Sequence, residues 1–174
     1  MLPPSSKTYS LHLDSSAKIS GGNHSAVFDV NWSMLLDDKY DQFTASLAFY
    51  TAANYFRDDV MSHAVATVGV EFGARTLSYS TSSSSASAVL GVIRRDTADA
   101  ASASSILFCT ATDNAPVTLS RPSQGVIKFS IRNIADGDVL GYTNAEGIDV
   151  NDMPAWTAII TFAPVPESYV GNPI

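Results

Sequence analysis

Alternation of apolar and polar residues at every second position is the feature that most constrains the fold of this chain. It runs through residues 28–34, 42–49 and 155–162. Successive side chains of a β-strand point to opposite faces, so each segment is predicted to be a strand with one face on a hydrophobic core. The pattern places Phe49 on the buried face of its strand and extends the earlier strand as far as Met34.

Residues 9–13 alternate in the same way, and further segments combine apolar with β-branched residues. Clusters of Gly, Pro, Asn and Asp separate the segments, as expected for turns. The Ser-rich stretch 78–88 is predicted to be either a mobile loop or a strand edge made of small residues, and only 52–61 and 98–104 have room for a helical turn. The other predicted strands are 64–72, 75–80, 88–95, 105–111, 116–119, 125–133 and 138–142.

The number and spacing of these segments predict an all-β fold. We expect a single jelly-roll β-sandwich of about eight to ten antiparallel strands with little helix. The length of 174 residues fits one domain. We place that domain at residues 7–164, between an N-terminal tail at 1–6 and a proline-containing C-terminal tail at 165–174.

The charge of the chain argues against binding to nucleic acid. The net charge is -7, and the sequence has no basic stripe that could displace counterions from phosphates. Only 16% of the residues are charged, against about 25% in a typical protein, and Ser, Thr and Ala take their place. A surface of small uncharged groups costs little to desolvate, which favours a protein that is covered by partners. The single cysteine, Cys109, allows no disulfide within the chain and is expected to be a buried apolar residue.

No pattern of catalytic or cofactor-binding residues is present in the sequence. The three histidines, His12, His24 and His63, do not form a metal-binding or nucleophile-activating motif, and no serine lies in a nucleophile elbow. The acidic segments 136–138 and 149–152 lack the EF-hand spacing, so we interpret them as turns and not as calcium sites. We therefore expect no enzymatic activity, no catalytic residue, no cofactor and no bound metal.

The aromatic residues divide into two groups. Trp32 and Trp156 align with the apolar positions of their strands, so packing in the core is favoured over a sugar-binding platform. The others considered are less constrained by the pattern, and aromatic residues are enriched at protein interfaces. The aromatic residues predicted to lie at an interface are Tyr50, Tyr55, Phe56, Tyr79 and Tyr142.

Two stretches of the C-terminal third carry a resemblance to a known family. Residues 113–133 (DNAPVTLSRPSQGVIKFSIRN) contain a P-x-x-x-x-R-P pattern, and residues 153–165 (MPAWTAIITFAPV) contain W-x-x-x-x-x-F-x-P. This combination resembles minor capsid proteins of large icosahedral double-stranded DNA viruses, the algal chloroviruses and their relatives. The first two thirds of the chain match that family only as alternating strands. The residues of the structural motif are Pro116, Arg121, Pro122, Gly125, Trp156, Phe162 and Pro164.

The resemblance implies a local arrangement for the motif. It implies a turn pinned by Pro122 and Gly125, after which the strand that begins at Trp156 is the hairpin partner of the strand at 125–133. The guanidinium group of Arg121 is expected either to bind a nearby carboxylate or backbone carbonyl, or to be solvated.

The resemblance also implies a function. Such proteins are single jelly rolls that lie under the outer shell and hold capsomers together by protein–protein contacts. The implied partners are the major capsid protein and other minor capsid proteins, close to an inner viral membrane, without direct nucleic acid contact or a small-molecule substrate. The implied location is the virion, assembled in the host cytoplasm. The alternatives are a carbohydrate-binding or lectin-like jelly roll and a cupin-like enzyme, although the sequence lacks the histidine cluster that such an enzyme needs.

Overall fold

The structure of the protein is a computed structural model, which describes residues 7–52, 63–68, 78–80, 85–95, 107–108, 116–122, 125–133, 142–143, 149–150 and 155–165. Almost all elements in this part of the chain are β-strands. The strands are β1 (Tyr9–Asp14), β2 (Ser20–Gly22), β3 (Ser25–Asp29), β4 (Gln42–Ala52), β5 (His63–Val68), β6 (Ser78–Ser80), β7 (Ser85–Arg95), β8 (Leu107–Phe108), β9 (Val117–Ser120), β10 (Val126–Asn133), β11 (Tyr142–Thr143), β12 (Asp149–Val150) and β13 (Trp156–Pro164). Two helical turns accompany them, the 3-10 turn η1 (Ser15–Ala17) and the α-helical turn α1 (Trp32–Leu35).

The strands form two main sheets. The first sheet has the order β1-β13-β4-β9, and the second has the order β2-β3-β10-β5-β7-β6, with β8 also paired to β7. A separate pair is formed by β11 and β12. Every pairing between described strands is antiparallel. The prediction of an all-β sandwich with little helix is therefore confirmed.

The core lies between the inner faces of the two sheets. In β13 the residues Trp156, Ala158, Ile160 and Phe162 are buried, and the residues between them are half-buried, as the alternation predicted. In the second sheet the odd-numbered residues of β10 from Ile127 to Ile131 are fully buried. Aromatic rings connect the two layers, because the rings of Phe129 and Trp156 lie 5.0 Å apart between their centroids.

A β-bulge changes the inward face of β4. Ile159 pairs with Phe49 and Ile160 pairs with Leu47, so Ala48 is an extra residue in β4. Leu47 and Tyr50 are both fully buried, whereas Phe49 is half-buried on the opposite face. The prediction that Phe49 faces the core is therefore wrong, since an extra residue shifts the alternation of every later side chain.

The segment after β3 is a helical turn and not a continuation of the strand. The side-chain oxygen of Asn31 accepts a hydrogen bond from the backbone nitrogen of Met34 at 3.3 Å, which caps α1 at its start. The turn directs Trp32 into the core at 6% exposure and leaves Met34 84% exposed. The predicted strand from 28 to 34 is therefore wrong beyond Asp29, although its expectation of a buried Trp32 is correct.

Several other predictions meet the structure only in part. The Ser-rich stretch forms β6 and the beginning of β7, which supports the strand-edge interpretation for its described residues. The candidate helical turns at 53–61 and 98–104, Cys109, and the tails at 1–6 and 166–174 lie outside the described residues. Among the residues that the structure describes, no helix is long and apolar enough to cross a membrane.

Candidate interaction site at the Arg121 corner

Two connections between the sheets run side by side at one end of the sandwich. The link 121–125 leads from β9 in the first sheet to β10 in the second, and the link 30–41 leads from β3 back to β4. The backbone nitrogen of Arg121 donates to the carbonyl of Asp41 at 2.7 Å, and that of Val30 donates to the carbonyl of Gly125 at 2.7 Å. We call this end of the sandwich the Arg121 corner.

The ends of the described domain also lie at the Arg121 corner. Tyr9, near the start of β1, pairs with Phe162, near the end of β13. The backbone nitrogen of Val165 donates to the carbonyl of Gln42 at 2.9 Å, next to the point where Asp41 accepts from Arg121. Lys7 and Val165, the first and last described residues, therefore lie at the same end of the molecule.

The side chain of Arg121 fixes the link 30–41 through its backbone carbonyls. Its Nε donates to the carbonyl of Tyr40 at 3.3 Å, and its Nη2 donates to the carbonyls of Leu36, at 3.4 Å, and Asp37. A guanidinium group carries five donors in a rigid plane, which allows one side chain to serve several carbonyls of one loop. Arg121 therefore acts as a clamp on the loop.

The same guanidinium group makes one ion pair and one aromatic contact. Its Nη1 lies 2.9 Å from Oδ1 of Asp38, whose side chain is 80% exposed. Its central carbon lies 5.8 Å from the centroid of the buried Phe43 ring. Of the two alternatives for Arg121, the bound one is correct, since the side chain contacts both carbonyls and a carboxylate.

A shallow open groove of about 510 Å³ lies between the two connections. Asp29, Asn31 and Ser33 line one side of it, and Arg121 and Pro122 line the other. Oδ1 of Asn31 accepts from the hydroxyl of Ser33 at 2.8 Å in addition to capping α1. The polar groups of the groove therefore hold the corner in shape, and the exposed carboxylate of Asp29 remains at its rim.

The corner brings together hydrogen-bonding and charged side chains in the part of the chain that the structure describes. No nucleophile and base are paired among the residues that line the groove. Within the described ranges, no group of three or more His, Cys, Asp or Glu residues is placed to hold a metal ion. His12 is exposed on β1, and His24 lies in the turn between β2 and β3.

Trp156 anchors the opposite end of the sandwich. Its backbone nitrogen donates to Oγ of Ser15 at 2.9 Å, and its indole nitrogen donates to the carbonyl of Asn23 at 2.5 Å. Lys18 adds two hydrogen bonds within residues 15–23. Its Nζ donates to the side chain of Asn23 at 2.8 Å and to the carbonyl of Ser15 at 3.3 Å. The indole thus fastens residues 15–23 to the start of β13.

The two tryptophans lie in the core, as predicted. Trp156 is 2% exposed, and the ring of Trp32 packs edge-on against the ring of Phe162 at 5.9 Å between centroids. Neither indole is available as a sugar-binding platform on the surface. Phe162 itself is buried, so this motif residue stabilises the core close to the Arg121 corner.

The structure corrects the arrangement of the motif strands. β13 pairs with β1 and β4, whereas β10 pairs with β3 and β5, so β13 is not the hairpin partner of the strand at 125–133. The two strands instead face each other across the core through Phe129 and Trp156. The residues 121–125 are a crossover between sheets, in which Pro122 lines the groove.

The backbone conformation at position 125 does not require glycine. A Cβ atom at this position would lie 3.6 Å from Oδ1 of Asp29, which is ordinary van der Waals contact. Gly21 is different, because its φ is +81° and a Cβ atom there would lie 2.1 Å from the carbonyl oxygen of Ser25. In the sequence this glycine is only part of the Gly, Pro, Asn and Asp clusters that separate the strands, so the need for glycine at Gly21 was not predicted.

The structure bears on only one of the aromatic residues that were predicted to lie at an interface. Tyr50 is fully buried beside Trp156, with 5.9 Å between ring centroids, so its prediction as an interface residue is wrong. The shift caused by the bulge at Ala48 explains this position. Tyr55 and Phe56 lie outside the described residues, as do the side chains of Tyr79 in β6 and Tyr142 in β11.

Two titratable groups have shifted pKa values. Burial raises the pKa of the Tyr50 hydroxyl well above its ordinary value of 10.0, and this hydroxyl has no hydrogen-bond partner among the described residues. Hydrogen bonds from the hydroxyl and the backbone nitrogen of Ser16 lower the pKa of the exposed Asp14 carboxyl, which caps η1. Neither group is part of the Arg121 corner.

The remaining motif residues flank strands. Pro116 is exposed directly before β9, and Pro164 is the last residue of β13, where it pairs with Phe43. The motif as a whole therefore combines a corner clamp with core and strand-end positions. Comparison of the chain with protein-family models and with curated proteins finds no match.

Proposed function

We propose that this chain is a jelly-roll minor capsid protein, which supports or joins capsomers of a large icosahedral virus shell by protein–protein contacts. Its partners in this proposal are the major capsid protein and other minor capsid proteins. It acts within the virion, is assembled in the host cytoplasm and lies near the inner viral membrane. The proposal involves no enzymatic step, no cofactor and no direct contact with nucleic acid.

The order of the strands is the observation that carries the proposal. The eight strands β1, β3, β4, β5, β7, β9, β10 and β13 can be taken as strands one to eight. The first sheet then has the order one, eight, three, six, and the second sheet contains the run two, seven, four, five. A jelly roll built from two Greek keys has this order, and it is a recurrent fold of viral capsid proteins.

A fold alone does not specify a function. The capsid role in this proposal therefore rests on the resemblance of the C-terminal third to minor capsid proteins. The motif residues lie where a shell protein would need stability. Arg121 holds a surface loop in one shape, and Trp156 and Phe162 pack in the core. A loop that is rigid before binding loses little conformational entropy when a neighbour contacts it.

The Arg121 corner is the surface that we assign to contact with other capsid chains. Met34 projects from α1 beside the groove and is 84% exposed, and methionine is enriched in interfaces. The corner carries charges of both signs, since the exposed carboxylate of Asp29 lies at the same end as the exposed Lys7 and Lys39, and Arg121 is paired with Asp38. This surface therefore fits a partner that presents polar and charged groups of both signs.

Co-sedimentation with virus particles tests the role in the virion. An antibody against this chain is used on a density gradient of infected-cell lysate, with an abundant soluble protein of the same lysate as control. We expect the chain to migrate with particles and to remain there after a high-salt wash that removes the control. Recovery only among small soluble species would contradict the proposal, and a glycan-binding screen would then address the lectin-like alternative.

Cross-linking of purified particles tests the assigned surface. Lys7 and Lys39 are exposed at the Arg121 corner, whereas Lys128 is exposed on the outer face of the second sheet. A lysine-reactive cross-linker should connect Lys7 or Lys39 to another capsid protein more often than Lys128. If Lys128 provides most of the links to other proteins, the corner is not the contact surface, even when the chain is in the particle.

A further inference from the structure

Strand β1 forms an edge of the first sheet that lacks the usual protection. Among the described residues it pairs only with β13, in an unbroken register. Sheet edges are usually blunted by short strands, prolines, bulges or charged residues. The opposite edge, β9, has four residues and lies between Pro116 and Pro122, and β2, an edge of the second sheet, has three residues. In contrast, β1 has six residues without a proline or a bulge, and its one carboxylate, Asp14, is at its end.

The backbone groups of β1 that face the free edge follow from one hydrogen bond. The backbone nitrogen of Trp156 donates to Ser15, on the β1 side of β13. Backbone groups of alternate residues in a strand point to the same side, so the even-numbered residues of β13 make the ladder bonds to β1. Their partners in the register are Tyr9, Leu11 and Leu13. The N–H and C=O groups of Ser10, His12 and Asp14 therefore point away from β13, to the side where no described strand receives them.

The inward side chains of β1 are also incompletely covered. All described inward positions of β4, β9 and β13 are buried. On β1 only Leu13 is buried, whereas Tyr9 and Leu11 are half-buried, although both pack against the core. Side chains of neighbouring strands pack against each other on each face of a sheet, so a further strand beside β1 would cover both. The free edge therefore combines open backbone groups with partly exposed apolar surface.

The charges at the two ends of β1 favour a second copy of the strand as the occupant. Lys7 is exposed two residues before the strand begins, and Asp14 is exposed at its end. Antiparallel pairing of two copies brings the positive end of each strand to the negative end of the other. This match locally opposes the repulsion expected between two chains that each have a net charge of -7.

One register of two copies satisfies these features together. With a two-fold axis at Leu11, Ser10 of each copy lies opposite His12 of the other, and both residues turn their backbone groups to the edge. Each such pair exchanges two hydrogen bonds. Asp14 then lies opposite the hydroxyl group of Thr8, so no two carboxylates face each other. On the inward side the opposed pairs are Leu11 with Leu11 and Tyr9 with Leu13.

We propose that this chain forms a two-fold dimer in which the β1 strands of two copies pair antiparallel, centred on Leu11. The pairing joins the first sheets of the two copies into one continuous sheet. Main-chain hydrogen bonds supply the affinity in this mode of association, and the same surface of each copy serves both sides of the contact. The dimer does not depend on the role in the virion.

Sedimentation equilibrium of the full chain tests the dimer. The mass should rise with concentration from the monomer mass of 18.4 kDa toward twice that value. His12→Pro removes an N–H that points to the free edge and not to β13, so the sheet of the monomer should tolerate it. The two-fold axis repeats the loss, so each dimer lacks two hydrogen bonds and association should weaken at least about tenfold. His12→Ala, the matched control, keeps the N–H and should dimerise like the natural chain.

Hydrogen exchange of the natural chain gives a second test that needs no substitution. The amide protons of Ser10 and His12, followed by NMR, should exchange more slowly at high protein concentration than at low concentration. The amide proton of Leu11, which is bonded to β13, should change much less. A dimer in which the amides of Ser10 and His12 gain no protection would overturn the proposal, because its contact would lie elsewhere.

A charge-reversal pair tests the polarity of the pairing. Lys7→Glu and Asp14→Lys should each associate more weakly than the natural chain, and an equimolar mixture of the two should associate more tightly than either alone. A general loss of stability cannot produce that recovery, and a mixture that associates no more tightly than its components contradicts the antiparallel arrangement. The proposal is also overturned if the natural chain stays monomeric over about 1–300 µM, the range of weak specific association. The same holds if His12→Pro, shown to be folded by circular dichroism, dimerises as tightly as His12→Ala.

Discussion

The backbone nitrogen of Trp156 donates a hydrogen bond to the hydroxyl of Ser15, which lies 141 positions earlier in the chain. Both residues are buried, at 2% and 1% exposure. The bond joins the first turn after β1 to the first residue of β13, and these strands are neighbours in the first sheet. A single serine hydroxyl therefore completes the pairing at this end of the sheet.

Replacement of Ser15 by alanine should destabilise the protein. Ser15→Ala leaves the buried N–H of Trp156 without its acceptor, which costs about 1–3 kcal/mol of unfolding free energy. Urea denaturation of the purified chain measures the change. Ser10→Ala, at an exposed position of β1, is the matched control and should change the unfolding free energy by less than about 0.5 kcal/mol. Equal effects of the two substitutions would contradict the assigned bond.

Substitutions of Arg121 and of Asp38, the two members of the ion pair, should lower the unfolding free energy by different amounts. Arg121→Ala removes the hydrogen bonds to three backbone carbonyls and should lower the unfolding free energy by about 2 kcal/mol or more. Asp38→Ala removes only the exposed ion pair and should cost less than about 1 kcal/mol. Urea denaturation distinguishes the two. An equal or larger loss for Asp38→Ala would mean that the ion pair, and not the carbonyl clamp, holds the corner.

Two glycines should respond differently to the same substitution. Gly21→Ala forces a methyl group against the carbonyl of Ser25 at positive φ and should cost about 2 kcal/mol or more. Gly125→Ala meets only ordinary contacts and should change the unfolding free energy by less than about 0.5 kcal/mol. Thermal denaturation of both variants under one set of conditions makes the comparison. A larger loss at Gly125 would show that the crossover 121–125, and not the β2–β3 hairpin, is the strained segment.

Burial of Tyr50 predicts a loss of stability at alkaline pH. The folded-state pKa of Tyr50 is raised above the ordinary value of 10.0. The contribution of its neutral hydroxyl to the unfolding free energy is therefore fully present below pH 10 and is lost as the pH rises toward the folded-state pKa. Over that window the unfolded state releases the proton while the folded state keeps it. The unfolding free energy should therefore fall by up to about 1.4 kcal/mol per pH unit from this group.

Tyr50→Phe isolates this effect, because the hydroxyl has no partner among the described residues. The variant should be at least as stable as the natural chain at pH 7 and should lose less stability between about pH 10 and pH 11. Urea midpoints measured across that range provide the comparison. Parallel pH curves for the two proteins would rule out Tyr50 as the source of the alkaline loss.

The sequence predicted the fold class because alternation is a local property that survives in most strands. The buried faces of β10 and β13 follow directly from it. Phe49 and Tyr50 escaped prediction because the bulge depends on the pairing of β4 with β13, and nothing in residues 42–49 alone reveals an extra residue. The exposure of Met34 was not predicted, because the residues that form the turn capped by Asn31 also fit a regular strand pattern.

The candidate site was predictable in its residues but not in its geometry. Arg121 and Pro122 stood out by resemblance, yet their loop partners at 36–40 lie about 80 positions away, and only the crossing of the two links brings them together. The hairpin expected between the strands at 125–133 and 155–162 failed for a related reason. Sequence neighbours in a two-layer fold can lie in opposite layers, which a linear pattern does not record.

The bulge at Ala48 makes β4 sensitive to length as well as to residue type. The residues before and after Ala48 alternate out of phase with each other, and each phase is matched to the same face of β13. Loss of one codon at this point would bring the two halves into a single phase. Leu47 and Tyr50 would then both keep their inward positions, with Phe49 outward between them, in a regular strand without the bulge. A one-residue deletion at Ala48 should therefore be tolerated far better than a deletion of Leu47 or Tyr50, each of which removes a fully buried side chain.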